Sequence, residues 1–180
     1  MKHQILEKVE IPEGISCTYE NKKLTCTKGS DSISRDMNIP QIEIQLQGNE
    51  IVISCKKGNK NQYKIIKSQI AHIKNLFRGL GEKFVYELEA VNVHFPMTLK
   101  VEGNQLAINN FLGEKTPRHA KIFPNVEVQI KGQKVTISSN DREAAGKTMA
   151  NIEKATKVRG RDRRIFQDGI HLVSKPGRGL

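Results

Sequence analysis

Ile39–Ser54, IPQIEIQLQGNEIVIS, and Phe123–Ser138, FPNVEVQIKGQKVTIS, align without a gap and share Pro, Glu, Gln, Gly and a closing Ile-Ser. A repeat of this kind decides architecture before any single element does. Each copy reads as a β-hairpin. In the first, Ile42, Ile44 and Leu46 alternate with polar residues, Gly48-Asn49 supplies a tight turn, and Ile51 and Ile53 resume the period of two. In the second, Val126, Val128 and Ile130 lead to a turn at Gly132-Gln133, followed by Val135 and Ile137.

The flanks repeat as well. Upstream, Ile15–Cys26 folds back around Asn21-Lys22, and Met97–Ile108 around Gly103-Asn104. Downstream, Ile66, Ile70, Ile73, Phe77 and Leu80 fall three and four apart, as do Ala145, Met149, Ile152 and Ala155 after the cap-like Ser139-Asn140-Asp141. That spacing puts each set on one face of an α-helix. A helix with one apolar face and hairpins with one apolar face bury each other. The expected fold is therefore α+β in two tandem repeated domains, each a small antiparallel sheet with one helix on a face. The boundary is expected at residue 82, giving 1–82 and 83–180, with Gly79-Leu80-Gly81 stopping the first helix and a strand running from Phe84 to Phe95.

Charge separates the two copies. The chain holds 30 Lys and Arg against 19 Asp and Glu, a net +11, which favours polyanionic partners. Residues 1–90 carry 14 basic and 11 acidic side chains and residues 91–180 carry 16 and 8, a net +3 against +8. Arginine is more lopsided, with Arg35 and Arg78 in the first half and seven in the second. Guanidinium groups grip phosphate oxygens in pairs, so this asymmetry points to the second half as the binding half. No apolar run approaches the ~18 residues of a membrane span, and the start, MKHQILEKVEIPEG, lacks the apolar core of a signal peptide. Three cysteines, Cys17, Cys26 and Cys55, contain no CxxC pair and suit an intracellular chain with thiols buried as small hydrophobes. Cys17 and Cys26 face each other if Glu20–Lys23 is a turn.

The densest cluster is Lys154, Lys157, Arg159, Arg161, Arg163 and Arg164, beginning on the last turn of the second helix and running into a loop. Cations beside helix-terminal carbonyls account for one or two of these, not six; phosphate binding accounts for all. A second candidate is the segment Asn109–His119, expected as a loop between hairpins, with donors at Lys115, Arg118, His119 and Lys121. The tail, Lys175-Pro176-Gly177-Arg178-Gly179-Leu180, reads as unable to pack as an element, and threads into a partner or stays disordered.

With no Trp and three Tyr, all in the less basic half, a stacking platform for single strands is poorly supplied. Contacts are expected mainly to the backbone and shape of structured RNA. The five histidines show no metal-ligand spacing, so no cofactor is expected. Asp162, Asp168 and His171 could be imagined around magnesium in a nuclease. Asp168-Gly169 reads instead as a turn, and Asp162 as an ion-pair organiser among arginines.

Two stretches, NNFLGEKTPR at 109–118 and ANIEKATKVRGRDRRIFQDGIHLVSKPG at 150–177, together with the duplicated layout, resemble the L-six family of large-subunit ribosomal proteins in its archaeal and eukaryotic form. The resemblance implies a non-enzymatic constituent of the cytoplasmic ribosome. It would bind large-subunit ribosomal RNA near the base of the acidic stalk and the translational-GTPase-binding region, with ribosomal proteins as neighbours and no homo-oligomer. It also implies that the second domain makes the main contact, through Lys115, Arg118, Lys157, Arg159, Arg161, Arg164 and Lys175. A free regulator that binds structured RNA is the alternative.

Overall fold

In a computed structural model of the chain, residues 3–179 are described, except for the side chains of the last two. The molecule divides into two units, one ending at Glu82 and the other beginning at Lys83. The first unit runs β1 (His3–Glu10), β2 (Ser16–Glu20), β3 (Lys23–Lys28), β4 (Asp31–Asp36), β5 (Glu43–Gln47), β6 (Glu50–Gly58) and α1 (Lys60–Gly81). The second runs β7 (Phe84–Val91), β8 (Thr98–Glu102), β9 (Gln105–Asn109), β10 (Arg118–Lys121), β11 (Glu127–Lys131), β12 (Lys134–Ser139), α2 (Arg142–Ala155), β13 (Gly169–Lys175) and β14 (Arg178–Gly179). The α+β class and its duplication hold.

In both units the strands divide into two antiparallel sheets rather than one. The first has β1-β6-β5 and β2-β3-β4; the second has β10-β9-β8 and β11-β12-β7-β13-β14. The repeat thus reaches the topology, since β7-β12-β11 reproduces β1-β6-β5. Local geometry repeats too. Gly48 and Gly132 open the equivalent turns at φ +60 and +61, and Gln41 and Asn125, also equivalent, take left-handed φ of 65 and 60.

Each unit has its own core. In the first, Ile66, Ile70, Ile73, Phe77 and Leu80 of α1 are buried with Ile51, Ile53 and Leu24 from the sheets. A reciprocal cap starts α1: Asn59 Oδ1 accepts from the Asn61 and Gln62 N–H groups, and Gln62 Oε1 accepts from the Asn59 N–H. In the second, Ala145 and Ile152 of α2 are buried against Leu88, Ile137 and Ile170, while Met149 and Ala155 are partly covered. Fully burying one such isoleucine contributes roughly 1.5–3 kcal/mol. Cys17 and Cys26 are cross-strand partners on β2 and β3, sulfur to sulfur 2.7 Å apart, and Cys55 is buried separately.

Four local expectations change. Strand β7 stops at Val91 rather than Phe95, because the Val93 and His94 N–H groups bond to the Asp168 carboxylate instead of a neighbouring strand. Asp168-Gly169 is not a surface turn: Asp168 is 2% exposed and Gly169 opens β13. The segment after Asn109 does not simply join hairpins, since it makes one 3-10 turn at Phe111–Gly113 and returns as β10 on the edge of β9. The tail turns at Pro176-Gly177 and pairs back, Lys175 with Arg178 and Ser174 with Gly179. Leu180, like Met1 and Lys2, lies outside the described residues.

The β13–β14 hairpin is what the second unit adds to the shared plan. It pairs with the edge of β7 that the first unit's equivalent strand, β1, leaves unpaired in its sheet order. Residues 156–168, which connect α2 to that addition, therefore have no counterpart in the first unit. Four of the second half's seven arginines, Arg159, Arg161, Arg163 and Arg164, lie on this connection.

Candidate nucleic-acid interface

The connection is tied at its base by Thr156, 3% exposed. Its Oγ1 accepts the Ile170 N–H at 2.9 Å, so the first residue after α2 holds the second residue of β13. Replacing Thr156 by Val keeps the shape but leaves that buried N–H without its acceptor. The expected loss is about 1–3 kcal/mol in a denaturant melt, recovered by Thr156→Ser. Val158, 9% exposed, tucks the loop inward, and Gly160 turns it at φ +68. Asp162 then builds a turn: its Oδ1 accepts the Arg164 N–H at 3.0 Å and its carbonyl accepts from Ile165 and Phe166. The Arg164 side chain closes on the same carboxylate at 2.8 Å and holds it below the usual carboxylate range.

Farther along, a column of contacts fixes the loop to the sheet. The Asp168 carboxylate accepts from the Val93 N–H at 2.9 Å and the His94 N–H at 3.0 Å, and His94 Nδ1 lies 2.7 Å from its second oxygen. Burial alone pushes the acid's pKa up, but the hydrogen bonds from His94 and Val93 outweigh it and hold the group below its ordinary value. The His94 ring stacks on Phe166 at 4.7 Å and 20°, and the Arg161 guanidinium lies 4.7 Å over the same ring. A buried carboxylate thereby positions an exposed arginine through two rings.

The six clustered cations fall into two groups. Arg161 and Arg164 are engaged as described, whereas Lys154, Lys157, Arg159 and Arg163 are exposed and make no ion pair with a described residue. The second candidate segment comes to the same place. Arg118, His119, Lys154, Lys157 and Arg159 line one cleft of about 380 Å³. Arg118 is more clamp than free donor. It hydrogen-bonds Glu114 through Nε and Nη2, donates from Nη1 to the Ala155 carbonyl at 2.7 Å, and covers the Phe111 ring at 4.3 Å. Two of its five N–H groups remain for a ligand. The Arg118 hydrogen bonds, with the charge of Arg161 behind them, hold the Glu114 pKa down. Lys115 is exposed on the turn between Glu114 and β10.

Lys175 is not brought to this cleft. Its hairpin reaches the opposite end of α2, where Arg142 Nη2 bonds the Pro176 carbonyl, and the 14 residues of the helix put about 20 Å between those ends. Arg178 belongs to that hairpin, its side chain outside the description. Lys121 lies between, its Nζ 5.7 Å from the Phe123 ring. Sequence reading missed Lys147, which is exposed on α2 with its Nζ 5.8 Å from that same ring. The signal was present: Lys147, Asn151 and Lys154 are spaced by four and three, and Asn151 Nδ2 donates to the Lys121 carbonyl. Asp162 and Asp168, the acids nearest a nuclease-like arrangement, are both held by the polypeptide, and no group of three or more metal-ligating residues occurs among the described residues.

The assembled surface is a basic stripe, from Lys147 and Lys121 to the cleft and over the loop. Its donors, on a fixed scaffold, can grip successive phosphates of a polyanion. A family model described as "Ribosomal protein L6" matches residues 95–169, which contain most of the stripe. The chain is 40% identical over 176 residues to the "Large ribosomal subunit protein uL6" of Methanococcus vannielii, covering 98% of this chain and 97% of that protein. It is 41% identical over 171 residues to the protein of the same name from Methanobrevibacter smithii, covering 95% and 96%.

Proposed function

The chain belongs to the ribosomal protein L6 family, and from that premise we propose that it is a structural constituent of the large subunit of the cytoplasmic ribosome, anchored to large-subunit ribosomal RNA by its second unit. The observation that carries the anchoring role is the convergence of Lys154, Lys157, Arg159 and Arg118 on one cleft, with Arg161 and Arg163 on the rigid loop beside it. Lys115, Lys121 and Lys147 extend that footprint, and Arg164 sets the loop's turn. Lys175 and Arg178 belong to the hairpin at the far end of α2, away from that cleft. Donors on fixed backbone suit the A-form helix, whose shape and phosphates are read more readily than its bases.

The position suggested by the family resemblance, near the base of the acidic stalk and the region where translational GTPases bind, is the finer part of this reading, as is a neighbourhood of other ribosomal proteins. Sedimenting a cell lysate through sucrose at moderate salt tests the proposal. The protein is expected to travel with the large subunit, and recovery only at the top of the gradient would overturn it. The second unit is also expected to be the anchoring domain: substitutions in the stripe release the protein from the subunit, whereas substitution of exposed lysines in residues 1–82 does not.

A further inference from the structure

Behind the loop lies an open cavity of about 540 Å³, bounded by the end of α2, the loop and β13. Its size is that of natural small-ligand sites. Gripping phosphates along an exposed loop does not require it. The inner wall is apolar, formed by Val91, Val158 and Phe166 with the buried Ile170 behind them, while Lys154, Lys157 and Arg163 stand among the residues around it. Apart from Asp168, which is taken up by His94 and Val93, the lining holds a single carboxylate, Glu153.

An apolar recess with a cationic border fits a flat, neutral ring joined to a phosphate. We propose that this cavity receives one nucleotide turned out of the bound RNA, its base against the apolar wall and its phosphate among Lys154, Lys157 and Arg163. This rests on the RNA-binding reading above and deepens it by naming a second mode of contact. The Phe166 ring is already stacked by His94 and approached by the Arg161 guanidinium, so the base packs on the aliphatic groups and the rest of the ring's periphery rather than relying on a free aromatic face. Recognition is therefore by shape and by a nucleotide already free of its helix, as at a bulge or loop.

The test uses the full chain with backbone amides and methyl groups labelled in NMR, titrated with AMP, GMP, CMP and UMP and, separately, with ribose 5-phosphate and inorganic phosphate. All six are expected to perturb the border cations, but only the nucleotides to move the methyls of Val91, Val158 and Ile170. At least one nucleotide should bind tenfold more tightly than ribose 5-phosphate. Val91→Phe, which narrows the recess from a partly buried position, should abolish the Val158 and Ile170 methyl shifts and the tenfold preference while phosphate binding persists. Nucleotides that leave the methyls unmoved, or bind no better than ribose 5-phosphate, overturn the cavity proposal. RNA anchoring is judged separately by sedimentation with the large subunit, so either reading can fail alone.

Discussion

Replacing Lys154, Lys157, Arg159 and Arg163 together by alanine is expected to cut affinity for large-subunit ribosomal RNA by a few hundredfold, leaving the fold intact. Each of the four is exposed and pairs with no described residue, so in the complex each is free to meet a phosphate. Contacts of this kind contribute somewhat under 1 kcal/mol each, about 3–4 kcal/mol in all, and every 1.4 kcal/mol is about tenfold. The diagnostic quantity is the slope of log K against log salt. With about 0.7–0.9 lost per phosphate contact, it should flatten by roughly 3. Removing exposed, unpaired side chains costs folding little, within about 0.5 kcal/mol each, so the thermal melt should hardly move. Substituting Arg161 and Arg164 instead should flatten the slope less, because Arg164 already shares its charge with Asp162 and Arg161 covers Phe166. An unchanged slope in the fourfold variant would remove the loop from the interface.

That ranking among six basic residues shows where sequence reading stops. The hairpins, both helices and the doubling were legible because they rest on local periodicity and turn chemistry: alternation in Ile42–Leu46 and Val126–Ile130, and three-four spacing from Ile66 to Leu80. Strand β4, with Ile33 as its one buried hydrophobe among Asp31, Ser32, Ser34 and Asp36, carries no such signal and forms only because β3 offers it an edge. The tail was misread for a related reason: Pro176 and Gly177 look like a breaker, yet they are the turn of a hairpin whose register is set by β7, more than eighty residues earlier. Charge density singles out residues 154–164 as the candidate stretch. Which of those charges are available depends on partners distant in sequence, such as Glu114 and His94, and on side-chain directions that composition does not carry.

Asp168 provides the second large effect, and its sign separates positioning from charge. Asp168→Ala makes the chain one unit more positive than +11, which on long-range electrostatics alone would tighten binding to RNA. The structure requires the opposite. Without the carboxylate, the Val93 and His94 N–H groups lose their acceptor and the His94 ring loses the group that orients it. Phe166 then loses its His94 stack, and Arg161 loses a fixed ring to lie over. Removing a buried charged acceptor of this kind costs about 3 kcal/mol of stability, and RNA affinity should fall at least tenfold although no phosphate-facing cation is touched. Amide exchange should show Val93 and His94 losing protection first. Asp168→Asn keeps an oxygen for the two backbone donors and should retain much of the stability, but it removes the negative partner of the His94 ring. The pH dependence follows from the direction of the shift. Because folding lowers the Asp168 pKa, its contribution is complete above the unfolded value, near 3.9, and is lost as pH falls through the lower folded value. The stability gap between the wild-type chain and Asp168→Ala should therefore shrink progressively as pH falls below about 4. A gap independent of pH over that range, or RNA affinity raised by the substitution, would show that Asp168 only fills space beneath the loop rather than holding it in place.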